Sequence, residues 1–217
     1  MSSAYERLRE GNGALHQNGS GAQLALVHSG PQGHQPTIGS GSVDHAALLR
    51  IGRDLLLAIG EDPTRPGIID TPRRFADMWK EFIEYEPGRT DTVFDAVETD
   101  QMVVVSGMRV WSLCEHHMLP FWCDIAVGYI ASDSVLGLSK LGRIAHACAH
   151  RLQIQERLVH QIADRVVEIV GTEDVAVLAS GEHLCMTMRG IKTPAKMISS
   201  VMRGTFRENA ETRSEFL

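Results

Sequence analysis

The chain has 217 residues, 43% hydrophobic and 22% charged, a composition that folds around a sizeable core and excludes a fibrous, mucin-like or wholly disordered protein. Its 21 basic and 27 acidic residues leave a formal charge of −6, which excludes a nucleic acid or anionic membrane held by a general basic field; any phosphate ligand then needs a local cationic cluster. Four cysteines are too few for a disulfide scaffold, and their place beside histidines points to a reducing, cytoplasmic setting and to metal or catalytic use. The opening MSSAYERLREGNG carries acids and has no apolar centre, so no targeting peptide is expected. No run of about 18 apolar residues offers a membrane span.

Residues 1–43 are rich in Gly, Ser, Gln and His and read as a flexible tail. From Asp44, HAALLRIGRDLLLAIG has helical leucine and isoleucine spacing, with Asp44 as cap and Gly60 as stop. Thr71 and Pro72 then take the cap and first turn of a second helix that carries Arg73 and Arg74 near its start. MVVVSGMRVWSL and CDIAVGYIA have strand content and form an expected antiparallel pair joined through CEHHMLPFW. Ser139 opens SKLGRIAHACAHRL, a helix followed by a second, QERLVHQIADRVVEIVG. VAVLAS and HLCMTMRG read as two more strands around a Gly-Glu turn. Without βαβ alternation, this order predicts an α+β fold on an antiparallel sheet with helices on one face. The division expected is a tail, 1–43, a helical part, 44–95, and a catalytic part, 96–217.

Cys114 and His117 stand at i and i+3, and His183-Leu-Cys185 supplies another thiol far along the chain. Two Cys and one His suit zinc with one position left open, the composition of a catalytic site, where a bound water would ionise near about pH 7. A hydrolytic reaction follows. If HLCMTMRG is a strand, His183, Cys185 and Arg189 share a face, which places His183 for acid/base work and not merely at a solvated edge. Ser139, Lys140 and Arg143 lie in or just after the first turn of a helix, where free amides favour anions; with Arg74 and Arg189 they supply the cations that a polyphosphate needs. Gln155 and Glu156 open the next helix. Glu156 either caps that helix or accepts N–H donors from a base edge such as that of guanine. His146 and His150, at i and i+4, read as core and surface histidines, and Cys123 and Cys148 as small apolar residues.

Together TPRRFADM, CEHHMLPF, GLSKLGRI, RLQIQERL, HLCMTMRG and TRSEFL, in this order over residues 44–217, resemble the GTP cyclohydrolase I family, the zinc-dependent type of the tunnelling (T-fold) superfamily. The resemblance implies zinc on Cys114, His117 and Cys185, and guanine on Glu156 with Gln155 alongside. It implies a triphosphate on Lys140, Arg143, Arg189 and Arg74, acid/base roles for His116 and His183, and Ser139 near the ribose. The implied reaction takes GTP to 7,8-dihydroneopterin triphosphate and formate, in a homodecamer with sites between subunits. Two positions depart from the family pattern: Asp77, where many relatives are basic, which either weakens triphosphate binding or pairs with Arg73 or Arg74, and PFWCD in place of PFxG. A binding protein that lost turnover, a nucleobase deaminase and a related T-fold synthase acting on the pterin product are the competing readings; the intact His116, His183 and Cys/His/Cys set oppose the first, the absent H-x-E and P-C-x-x-C pattern the second, and Cys114 and Cys185, in place of an all-histidine zinc site, the third.

Overall fold

The computed structural model describes residues 42–96 and 101–217; all but the last two residues of the expected tail lie outside them. Helix α1 (His45–Ala58) is capped as the sequence implies, Asp44 Oδ1 accepting from the Ala47 amide at 2.9 Å. Helix α2 (Thr71–Ile83) begins one residue earlier than expected: Thr71 is already helical and Asp70 is the cap position, its backbone carbonyl taking the Arg74 amide.

The remaining elements are β1 (Val93–Asp95), β2 (Met102–Cys114), β3 (Pro120–Ile130), β4 (Ser134–Leu136), α3 (Leu138–Ala149), β5 (Leu152–Gln153), α4 (Gln155–Val170), β6 (Val175–His183), α5 (Leu184–Thr187), β7 (Met197–Met202), α6 (Thr205–Glu208) and α7 (Ala210–Phe216). The main sheet has the order β5-β2-β3-β6-β7 and is antiparallel except for the short β5–β2 pairing. β1 and β4 form a separate two-stranded ribbon. On β3, Phe121, Cys123, Ile125, Val127 and Tyr129 alternate inward and are fully buried. They join a core with Leu141, Ile144, Ala145 and Cys148 of α3 and Leu158, Ile162 and Val166 of α4. This strand periodicity against two amphipathic helices puts the helices on one face, giving the expected α+β arrangement on an antiparallel sheet. PFWCD makes no turn; it is the first five residues of β3, with Trp122 on the outer face under the Arg109 guanidinium, 4.1 Å from its ring.

Two expectations fail at the end of β6. Gly181 and Glu182 lie inside the strand and make no turn. Gly181 is there because a Cβ would stand 2.5 Å from the Trp122 carbonyl and 2.6 Å from Cys123 Sγ. The segment after His183 is not a strand but the short helix α5. His183 pairs with Phe121, and β3 begins only one residue before that, so the ladder has no partner on which to continue. The last strand of the sheet is instead β7, which sequence periodicity did not mark.

Candidate active site

Cys114 ends β2 and is buried. The chain reverses at once into β3: the Met118 amide donates to the Cys114 carbonyl at 2.7 Å, the Cys114 amide donates to the Leu119 carbonyl at 2.9 Å, and Met118 takes a left-handed φ of 52°. This tight connection carries His116 and His117 out over the strand end. α5 folds Cys185 back toward them, so that one donor atom from each of Cys114, His117 and Cys185 lies within 4.8 Å of the others. The arrangement survives the loss of the shared-face argument, because the turn of α5 and not strand alternation delivers Cys185. Burial, and next the adjacent Cys114, push the Cys185 thiol up; a divalent cation would reverse that by stabilising both thiolates. Two sulfurs and an imidazole nitrogen fit a soft divalent metal such as zinc. No other cluster of three His, Cys, Asp or Glu donors is found among the described residues.

His183 lies flat on Phe121, ring centroids 4.5 Å apart and planes 6° from parallel. Its Nε2 is 3.0 Å from Gln155 Oε1. The Gln155 amide nitrogen donates to the Ala179 and Met197 carbonyls and to Ser199 Oγ at 3.0–3.1 Å. Carbonyls can only accept, which fixes Oε1 as the acceptor toward His183; Nε2 therefore carries a proton and Nδ1 is left bare in the neutral ring. Burial pushes the His183 pKa down, opposed by the charge of nearby Glu156. Gln155 itself is fully buried, so its side chain serves His183 and the β6–β7 strands. Phe121 was not singled out by the sequence reading, although its place two residues after Leu119 in the motif-bearing connection was a usable signal.

The cations divide. Arg189 follows α5 closely enough for its charge to act on Cys185. Lys140 and Arg143 sit elsewhere, holding the Arg89 and Pro87 carbonyls at 3.0 and 2.5 Å. Helix α3 ends beside the metal end of the sheet, where Ser112 Oγ donates to the Ala149 carbonyl, but its start lies near the opposite end, where the Leu136 amide donates to Tyr129 Oη. A helix of 12 residues separates the two by about 18 Å. Ser139, Lys140 and Arg143 thus do not converge on Cys114 within one chain. Arg74, on α2, is 63% exposed and only 3.6 Å from Asp70. Asp77 accepts from His45 at 2.8 Å and Arg73 at 2.9 Å, so its pairing is with Arg73 and not Arg74.

Fold and site define an α+β protein with a Cys–His–Cys cluster able to hold a metal at one end of an antiparallel sheet. Residues 50–217 match the family model described as GTP cyclohydrolase I, and the chain belongs to that family. It is 44% identical over 174 residues to a GTP cyclohydrolase 1 of Hyperthermus butylicus, covering 80% of this chain and 89% of that one. It is 45% identical over 173 residues to a GTP cyclohydrolase 1 1 of Pseudomonas syringae pv. tomato, covering 76% and 91%. A Drosophila melanogaster GTP cyclohydrolase 1 is 43% identical over 175 residues, covering 78% and 54%. Among solved structures, an apo archaeosine synthase QueF-Like matches with a TM-score of 0.37 and 16% identity over 48% of this chain and 95% of its own, too distant to carry weight.

Proposed function

We propose that this chain, a GTP cyclohydrolase I, carries out the first step of pterin and folate biosynthesis at a zinc site formed by Cys114, His117 and Cys185. The observation that carries the site is their convergence within 4.8 Å beside a histidine whose Nδ1 is left bare. Bound there, zinc would supply Lewis-acid activation of the water that attacks C8 of the purine. Glu156 reads guanine by accepting from its N1–H and exocyclic amine. Adenine offers an acceptor at N1 and would leave the carboxylate unpaired. His183, neutral and with its proton held on Nε2 by Gln155, takes a proton at Nδ1 from the attacking water and returns it to the ring nitrogen as the C8–N bond breaks. A second water releases formate. His116 and Ser139 assist ribose opening and rearrangement, and ring closure expels one water, so the net reaction consumes one.

Lys140, Arg143, Arg189 and Arg74 hold the triphosphate. Because α3 carries the first two away from the metal end of its own chain, we assign them to a site completed by another subunit, consistent with the decamer that the family resemblance implied. A cytoplasmic setting fits the four free cysteines; no helix among the described residues is long and apolar enough to cross a membrane.

The test is incubation with GTP and zinc, following formate and the mass and absorbance of the pterin. Absence of both products from zinc-loaded protein would overturn the reading. Sharing between subunits is tested by mixing the inactive Cys185→Ser protein with the weakly binding Lys140→Ala/Arg143→Ala protein after dissociation and reassembly, and assaying at GTP concentrations below the raised KM. A shared site regains activity in the mixed oligomer, since some sites then combine an intact metal end with an intact cationic end; a site within one chain regains none.

A further inference from the structure

Glu115 lies between Cys114 and His116, and neither it nor Arg157 is accounted for by the site chemistry above. Both Nη1 and Nη2 of Arg157 donate to Glu115 Oε2, at 2.8 and 2.7 Å, while the Glu115 amide donates to the Gln153 carbonyl at 3.1 Å. Several other ion pairs here, such as Arg65–Glu61 and Arg73–Asp77, span one turn within a short segment; this one ties the β2–β3 connection to the start of α4. Its side chains are only 31% and 32% exposed, so solvent and salt screen it less than a surface pair.

The start of α4 thereby serves three structures through three consecutive residues, which point about 100° apart around a helix. Gln155 holds His183, Glu156 stands at the base-reading position, and Arg157 holds the connection that carries His117. That connection is otherwise tethered by few backbone bonds, and His117 is the donor on a loop, whereas Cys114 is fixed in a strand. We propose that Glu115 and Arg157 form a positioning pair that sets the distance between the metal-holding loop and the base-reading start of α4. The inference rests on the metal and guanine roles proposed above. It implies that breaking the pair leaves each half able to bind its own ligand less well aligned with the other, so turnover suffers more than GTP binding.

The experiment uses the full chain with cobalt(II) as the metal probe, whose thiolate charge-transfer band reports coordination without turnover. Glu115→Gln and Arg157→Gln should each weaken cobalt binding, measured by chelator competition, by about 10–100-fold, the usual cost of losing a group that orients a ligand. Turnover of GTP in the zinc-loaded proteins should fall by about 10²-fold with KM little changed, as small misplacements at reacting atoms do. The double variant should lose no more than the worse single one, and Arg157→Lys should recover part of both losses. Singles that match wild type in cobalt affinity and kcat, whatever their melting temperatures, would overturn the proposal. So would losses that multiply in the double variant, because the residues would then act independently. Wild-type protein with no cobalt–thiolate band would sink the metal site itself and this proposal with it, an outcome distinct from failure of the variants alone.

Discussion

The two ends of the main sheet handle polar side chains in opposite ways. At the metal end, His183 is clamped between the face of Phe121 and the amide of Gln155, itself buried with its own hydrogen bonds committed. Toward the other end, Lys140 and Arg143 are spent on carbonyls of the chain that precedes β1, and elsewhere, on α2, Arg74 is mostly exposed. The difference fits the roles proposed above for the two sets of residues. Proton transfer and attack at carbon demand atoms placed in advance, and a buried, satisfied hydrogen-bond network does that at no cost during reaction. A triphosphate needs several positive charges within reach, and long flexible side chains supply them once a neighbouring chain presents a ligand.

The largest break in this comparison is Cys185→Ser, which removes a donor from the fixed end. Metal content and GTP turnover should both fall below detection while the fold persists, by elemental analysis, formate assay and circular dichroism. Next comes His183→Ala, which should retain metal and GTP binding yet lose about 10²–10⁴-fold in kcat, the scale of general acid/base catalysis; loss of metal in this variant would make His183 a ligand instead. Gln155→Leu should reproduce part of that defect without touching substrate.

How far the sequence discloses these two ends differs as well. Cys114, His117 and Cys185 are legible because few residue types bind a soft metal and two short segments carry all three. Helices α1 to α4 were legible from apolar spacing and their stops, as at Gly60 and Gly171, whereas α5 read as a strand and α6 and α7 were not marked. The route that brings Cys185 to its partners was not. HLCMTM alternates like a strand, and only the pairing of His183 with Phe121, near the start of β3, shows that the ladder runs out there. β7 was missed because its register against β6 is set by tertiary pairing and not by a strong local pattern. The buried role of Gln155 was hidden for the same reason: its partners Ala179, Met197 and Ser199 lie far along the chain. The separation of Lys140 and Arg143 from the metal end depends on the direction of α3, which residue spacing does not encode.

Glu156 and the cations sharpen the comparison further. Glu156→Ala should cost about 10²-fold or more in kcat/KM for GTP, the value of two hydrogen bonds to a charged group, without creating ATP turnover. Wild-type protein that turns over ATP would show that the purine is read elsewhere. Lys140→Ala or Arg143→Ala should raise KM for GTP by about tenfold, the low end for an exposed charge-assisted contact. The penalty should shrink as salt rises, since screening already weakens the wild-type interaction. A salt-independent loss of kcat would instead place these residues at the reacting atoms.

The smallest effect belongs to His146 and His150, which read in the sequence as core and surface histidines. Phe82 stacks on His150 at 4.7 Å, and Tyr85 lies 3.9 Å from His150 and 5.9 Å from His146, joining α2 and the segment after it to α3. His150 Nδ1 donates to the Phe82 carbonyl at 3.2 Å, whereas buried His146 Nδ1 has no hydrogen-bond partner. Burial pushes both imidazoles below their ordinary value, opposed at His150 first by the Phe82 carbonyl and later by Glu81, with His146 adding to the depression. An imidazole that binds its proton less readily when folded favours the folded state fully above about pH 6.5, where the unfolded ring is also neutral. As pH falls through the depressed folded values, the unfolded chain gains protons first and stability drops. Carboxylates such as Asp77 and Asp124, lowered by their His45 and Arg109 partners, act in the same direction only near and below about pH 4, their ordinary range. Melting temperature at fixed protein concentration should therefore decline between about pH 7 and 5, by about 2–4 °C for each kcal/mol lost in a chain of this size. His146→Leu with His150→Phe should flatten that decline, leaving the residue due to His183, which burial also lowers. An unchanged slope in the double variant would show that the rings at the α2–α3 junction do not carry the pH dependence.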